Sequence, residues 1–194
     1  MTIKMTLAFF TSVFFAFSCY SQGGTLPTDE NGRYAYIEVV QANGFDSLQL
    51  LNNAEAFTKG YINKKQKKTL QRNDEEGYVS ALSSFLVYKK GSLGKHVDGA
   101  IEYSIKIEVK DQRFRYTLTD FYFQEYVRDR YGKFKPTSKP PRPLETESSK
   151  LNEWQWEAHQ ETVDDKMTTF ISTMNVEMMA LPEKEKTKKK KDDW

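Results

Sequence analysis

His96 and His159 are the only imidazoles in the chain. His159 stands in EWQWEAHQE, Glu153 to Glu161, where acids at helical spacing beside an imidazole have the donor types of a metal site. No HExxH or paired-cysteine pattern accompanies it, so His159 is expected on a polar helix face. His96 lies in the Gly-flanked GSLGKHVDG two residues before Asp98 and is expected as a solvated loop residue.

Asp46, Asp74, Glu75, Glu76 and Asp120 occupy turn contexts, where carboxylates cap helices and accept from nearby amides. Acid–base catalysis needs two of them converging in one cleft, and no spacing here brings that about. Gly91-Ser92-Leu93-Gly94 is one residue short of a nucleophile elbow and lacks its strand-to-helix setting. No catalytic, cofactor-binding or metal-binding residue is therefore assigned. The expectation is a protein that is not an enzyme and uses no cofactor.

Lys106, Lys110, Arg113 and Arg115 alternate with aromatics, as a nucleic-acid surface would. The alternation sends Phe114 and Tyr116 to the opposite face, and Glu102 and Glu108 neutralise the basic one, so no nucleic-acid partner is expected. KTKKKK, Lys186 to Lys191, suits weak contact with an anionic surface or simply a solvated tail. Trp154 and Trp156 point about 200 degrees apart on a helix, so only one enters the core. The outward one, Trp154, is a candidate partner contact.

Cys19 is the single cysteine. Lys4 precedes Leu7 to Phe17 (LAFFTSVFFAF), a positive n-region and an apolar run of signal-peptide length, too short to span a bilayer. Residues 1–21 are expected to be a signal peptide, with cleavage before Gln22 permitted by the small residues Cys19 and Ser21. The alternative is lipidation: AFSC, Ala16 to Cys19, resembles a degenerate lipobox with Ala where Leu is expected. The product is expected to be exported, periplasmic or secreted, with a lipoprotein as the alternative.

The elements that must position these residues follow from pattern. The 194 residues carry 29 Lys+Arg against 27 Asp+Glu, a net +2 that drops to +1 without Lys4, and the charged tail holds the excess. Such a balance gives no footprint for nucleic acid. Arg33 to Gln41 (RYAYIEVVQ) reads as a strand with Ala35, Ile37 and Val39 on one face. Asp46 caps a helix with Gln49 as capping-box partner, and Leu50, Ala54, Phe57 and Tyr61 form its stripe. Thr69 to Arg72 is a short strand and NDEEG, Asn73 to Gly77, a turn. Tyr78 to Lys89 reads as a central strand, with Val79, Ala81, Phe85 and Val87 opposite Leu82, Leu86 and Tyr88.

Ile101, Tyr103, Ile105, Ile107 and Val109 alternate strictly with polar residues, so one face is core and the other meets water. Asp111-Gln112 forms a two-residue hairpin loop, pairing Lys110 with Arg113, Val109 with Phe114 and Glu108 with Arg115. The phase shift to Phe121 and Phe123 after Asp120 calls for a bulge. The Pro-rich stretch 128–147 is expected as a stiff loop outside the sheet. A long helix capped by Ser148 or Ser149 carries Trp156, Val163, Met167, Phe170, Met174, Met178 and Leu181 on one stripe and stops at Pro182.

With these features in order, the chain resembles an exported bacterial domain-of-unknown-function family (four-four-six-eight) with a TATA-binding-protein-like fold. The resemblance rests on YAYIEVVQANGFDSLQLLNNAEAFTKGYI, the DEEG turn and the IKIEVKDQRFRYTLTDFYF hairpin, and covers about residues 33 to 127. It implies a fold and transfers no functional residue. The fold name does not imply DNA binding.

The expected fold is therefore α+β, an antiparallel sheet of about five strands with two helices on one face in β-α-β-β-β-β-α order. Residues 1–21 are the signal peptide, 22–32 a flexible linker, 33–181 one domain and 182–194 a disordered Lys-rich tail. The expected function is a non-enzymatic binding or assembly module of the bacterial cell envelope, with an unidentified envelope protein or ligand as partner. The alternative is a small-ligand carrier or enzyme with a site between the sheet and the Pro-rich loop, near His96.

Overall fold

In the computed structural model, residues 26–91, 94–146 and 153–180 are described. Residues 1–21, expected as a signal peptide, with Cys19, the expected Ser148 or Ser149 cap, Leu181 and the lysine tail lie outside them. The strands are β1 (Tyr36–Gln41), β2 (Gln71–Asn73), β3 (Tyr78–Gly91), β4 (Gly94–Lys110), β5 (Arg113–Arg128), β6 (Phe134–Pro136) and β7 (Arg142–Pro143). The helices are α1 (Ser47–Tyr61) and α2 (Glu153–Met178).

The sheet is antiparallel in the order β1-β5-β4-β3-β2, with β6 and β7 also on β5, and it has seven strands rather than about five. The added two come from the Pro-rich segment, which was expected outside the sheet. Phe134 to Pro136 pairs with Tyr126 to Arg128, and Arg142-Pro143 with Tyr122-Phe123. Proline is tolerated there because both pieces are short and lie at an edge. Leu144, fully buried, then anchors the segment, its N–H donating to the Phe121 carbonyl.

Both helices cover the sheet face made by Val79, Ala81, Val87, Ile101, Tyr103, Ile105, Ile107, Phe114, Tyr116, Leu118, Phe121 and Phe123. The Asp46 carboxylate accepts from the Gln49 N–H at 2.7 Å, capping α1 as expected. From the middle of α1, Asn53 Nδ2 donates to the Met178 and Ala180 carbonyls, satisfying groups that the end of α2 leaves open. The α2 stripe from Trp156 to Met178 is buried as its spacing requires.

The hairpin register is the one read from phase: Lys110 opposite Arg113, Val109 opposite Phe114, Glu108 opposite Arg115. Gln112 takes the positive φ of the turn. Asp120 also has positive φ, and the register slips beside it, since Glu102 pairs with Tyr122 but Ser104 with Thr119. That slip is the expected bulge, and it returns Phe121 and Phe123 to the core.

Two strand readings are corrected. In β1 the inward residues are Tyr36 and Val40, while Ile37 and Val39 are about half exposed. Tyr36 packs edge-on against Phe121 and donates its hydroxyl to Asp164 of α2 at 2.7 Å. Once that residue faces the helices, a period of two sends Ile37 and Val39 to the open face. β3 is central only where β2 covers it, over Tyr78 to Ser80, and its second apolar set, Leu82, Leu86 and Tyr88, is exposed. Residues 26–32, part of the expected linker, fold back on the domain: Leu26 is buried and Thr28 bridges Tyr34. Among the described residues no helix is long and apolar enough to cross a membrane.

Candidate functional site

The GSLGKHVDG segment is not a long loop. β3 runs to Gly91 and β4 begins at Gly94, so His96 and Asp98 are strand residues. Val87 pairs with Gly99 and Tyr88 with Val97, which leaves Asp98 as an extra residue, a bulge in β4. Bulges re-aim side chains. Here Asp98 is only 7% exposed and points under α2.

His159 meets it there. The His159 ring is 1% exposed, and its Nε2 lies 2.9 Å from Asp98 Oδ2. Gln155, one helical turn earlier, donates from Nε2 to the same oxygen at 3.0 Å, and Lys89 of β3 pairs with Oδ1. Burial pushes the Asp98 carboxyl up, but hydrogen bonds and charge from His159 and Lys89 outweigh it and hold the group below its ordinary value. The polar helix face expected for His159 is thus corrected. The ring belongs to the core stripe, one i+3 step beyond Trp156 and one i+4 step before Val163.

Phe123 lies against the His159 ring at 5.2 Å, tilted 26°, and edge-on to Trp156 at 5.5 Å. The Phe123 ring fits there because Gly99 has no side chain. A Cβ at Gly99 would stand 2.6 Å from that ring and 2.3 Å from the Gln124 carbonyl. Trp156 donates its indole N–H to the Leu144 carbonyl at 3.1 Å, tying α2 to the Pro-rich segment. That segment also places the Arg142 guanidinium 4.8 Å from the Trp156 ring centre and 5.9 Å from that of Phe123.

These residues enclose a cleft of about 340 Å³ whose wall is completed by Glu125 and Lys139. Lys139 Nζ pairs with Glu125 Oε2 at 2.9 Å. The cleft lies between the sheet, the Pro-rich segment and α2, where the alternative reading looked for one. Its imidazole is His159 rather than His96. His96 is half-buried near the start of β4, two residues before Asp98, and stacks on Phe134 at 6.3 Å, which corrects the solvated loop expected for it.

Trp154 is 58% exposed and Trp156 7%, the division their angular offset demands. Asp46, Asp74, Glu75 and Glu76 stay in a cap and a turn away from the cleft, whereas Asp120, expected in a turn, is a β5 residue at the bulge, where it accepts from Arg33. The Asn73 side chain, rather than an acid, accepts from the Glu75 and Glu76 N–H groups in the DEEG turn. Among the described residues no three His, Cys, Asp or Glu side chains gather as metal ligands. The cleft offers one buried acid–imidazole pair, an aromatic wall and a cationic rim, which is equipment for holding a small polar molecule.

An α+β domain with two helices over one face of an antiparallel sheet, and a cleft at the end of that layer, is the class that fold and site define. Residues 36–124 match the model of a family described as a domain of unknown function (DUF4468) with TBP-like fold, and the resemblance read from the sequence holds. The structure is similar to that of a TBP-like protein from Parabacteroides distasonis ATCC 8503, with 17% identity and TM-score 0.52 over 76% of this chain and 96% of that one. It is also similar to a DUF4468 family protein from Bacteroides ovatus ATCC 8483, with 14% identity and TM-score 0.52 over 82% and 93% of the two chains. At these identities the likeness establishes the fold. No curated protein matches the chain. Arg142, Gln155, Trp156 and His159 all lie beyond the segment matched by the family model.

Proposed function

We propose that this chain is an exported, non-enzymatic binding module of the bacterial cell envelope that carries a small ligand in the cleft. The observation that carries the reading is the bulged Asp98, held by His159, Gln155 and Lys89 beneath an open, aromatic-walled space. Buried polar groups of this kind are costly unless they are satisfied, and they recur where a site must be held in one geometry. Export is supported by the Lys4 n-region and the apolar run to Phe17, with cleavage before Gln22, or lipidation at Cys19 as the alternative. An enzyme in the same cleft is the competing reading.

The test is expression of the whole chain with a C-terminal tag in a bacterium, followed by fractionation, N-terminal sequencing and native mass spectrometry. A chain starting at Gln22 outside the cytoplasm, with a bound small molecule that leaves unchanged on denaturation, is the expected result. An unprocessed cytoplasmic chain ends the export reading, and a ligand recovered chemically altered favours the enzyme.

A second reading, assembly with an envelope protein, is favoured by the open sheet face. Leu82, Leu86 and Tyr88 of β3 are each 42–46% exposed there, and neighbouring exposed apolar side chains mark contact surfaces. Ile37 and Val39 of β1 are a separate exposed pair, with β5 and β4 lying between. Trp154 is a further candidate contact. Cross-linking in living cells that returns one dominant partner on these residues supports it.

A further inference from the structure

The cleft's acids are answered by its own bases. Lys89 is held on Asp98, Lys139 on Glu125, and Asp98 Oδ2 also receives His159 and Gln155. The cation left over is Arg142, which among the described residues meets no carboxylate within ion-pair distance. Its guanidinium lies over Trp156 at 4.8 Å and near Phe123 at 5.9 Å. A guanidinium carried on aromatic rings keeps its in-plane N–H donors for a planar, bidentate acceptor. The rings below it supply an apolar surface, and the volume of about 340 Å³ limits the occupant to a small molecule.

We propose that the cleft binds a small organic carboxylate, with its anionic end on the Arg142 guanidinium and its apolar body against Trp156 and Phe123. This rests on the ligand-carrying reading above. One uncompensated positive charge matches a monoanion. A phosphate dianion would leave a negative charge without a partner in a partly enclosed site.

The probes are indole-3-acetate and phenylacetate, set against neutral indole-3-acetamide, cationic tryptamine and phenylphosphate, and titrated into the purified protein. Binding is read from the amide NMR signals of Asp98, Gln155 and Trp156 and from the Trp156 indole N–H. The two carboxylates are expected to bind about tenfold or more tightly than the amide, a preference that Arg142→Gln abolishes. Arg142→Lys, which keeps the charge and loses the fork, is expected to retain part of it. Arg142 is an exposed edge residue, and unchanged amide signals elsewhere verify that each variant is folded. If the amide, amine or phosphate ester binds as tightly as the acids, or if Arg142→Gln keeps the preference, the carboxylate assignment is wrong while the cleft remains a site. If no probe moves the cleft signals, the assignment and the ligand-carrying reading fall together.

Discussion

His159 Nε2 sits 2.9 Å from Asp98 Oδ2, joining residues 61 positions apart across the seam between α2 and a bulge in β4. Asp98 also accepts from Gln155 and pairs with Lys89, whereas the buried His159 ring has Asp98 as its hydrogen-bond partner, so the contact fixes how the helix seats on the end of the sheet.

Asp98→Ala is therefore expected to destabilise the fold by about 1–3 kcal/mol, because it leaves the His159 ring nitrogen buried without its acceptor. Urea unfolding measures this. Asp98→Asn, which keeps an acceptor oxygen, is expected to lose less. Equal losses would show that charge rather than hydrogen bonding holds the pair.

Acid should act on the same group. The Asp98 carboxyl lies below its ordinary value of 3.8 when folded, so the unfolded chain binds that proton more readily. The stabilisation is complete above the unfolded value and is lost as pH falls through the folded one. Urea midpoints measured between about pH 5 and pH 2 should fall less steeply with acid in Asp98→Asn than in the parent.

Gly99→Ala tests the close approach of β4 and β5. The added Cβ would lie 2.3 Å from the Gln124 carbonyl, a backbone atom, and 2.6 Å from the Phe123 ring. Overpacking at a site that cannot give way is expected to cost about 1–3 kcal/mol. Thermal unfolding should show it, and the Trp156 indole signal should move with the displaced ring. An unchanged midpoint would mean that β5 shifts freely there.

Glu108 and Arg115 face one another across the hairpin at 2.7 Å, with side chains 27% and 52% exposed. Exposure limits such a pair to about 0.2–1 kcal/mol. A double-mutant cycle with Glu108→Gln and Arg115→Gln is expected to return coupling in that range and to lose it in high salt. Coupling that survives high salt would point to desolvation rather than screened charge.

The limits of the sequence are clearest at the cleft. The α2 stripe passes from Trp156 to Val163, a step of seven that needs an inward residue midway, and His159 occupies that place. Spacing alone could have found it, but its polarity argued for the surface. Asp98 carried no such signal, because a bulge is a fact about pairing with β3 and no period within β4 discloses it. Arg142 was hidden in a proline-rich stretch whose composition reads as excluded from a sheet, although proline is tolerated at a sheet's edge.

Strict alternation in β4, the two-residue turn at Asp111-Gln112, the Asp46 cap and the α2 stripe are local regularities, and the amino-acid sequence by itself determined them. Each depends on residues within a few positions of one another, whose periods of two and 3.6 decide what faces inward. Tertiary structure alone decided which face of β1 turned to the helices, that the Pro-rich segment added two strands, and that Asp98, His159 and Arg142 share one cleft. Those outcomes are set by contacts between distant segments, where the burial of Tyr36, Leu144 and the His159 ring outweighs what composition nearby would favour.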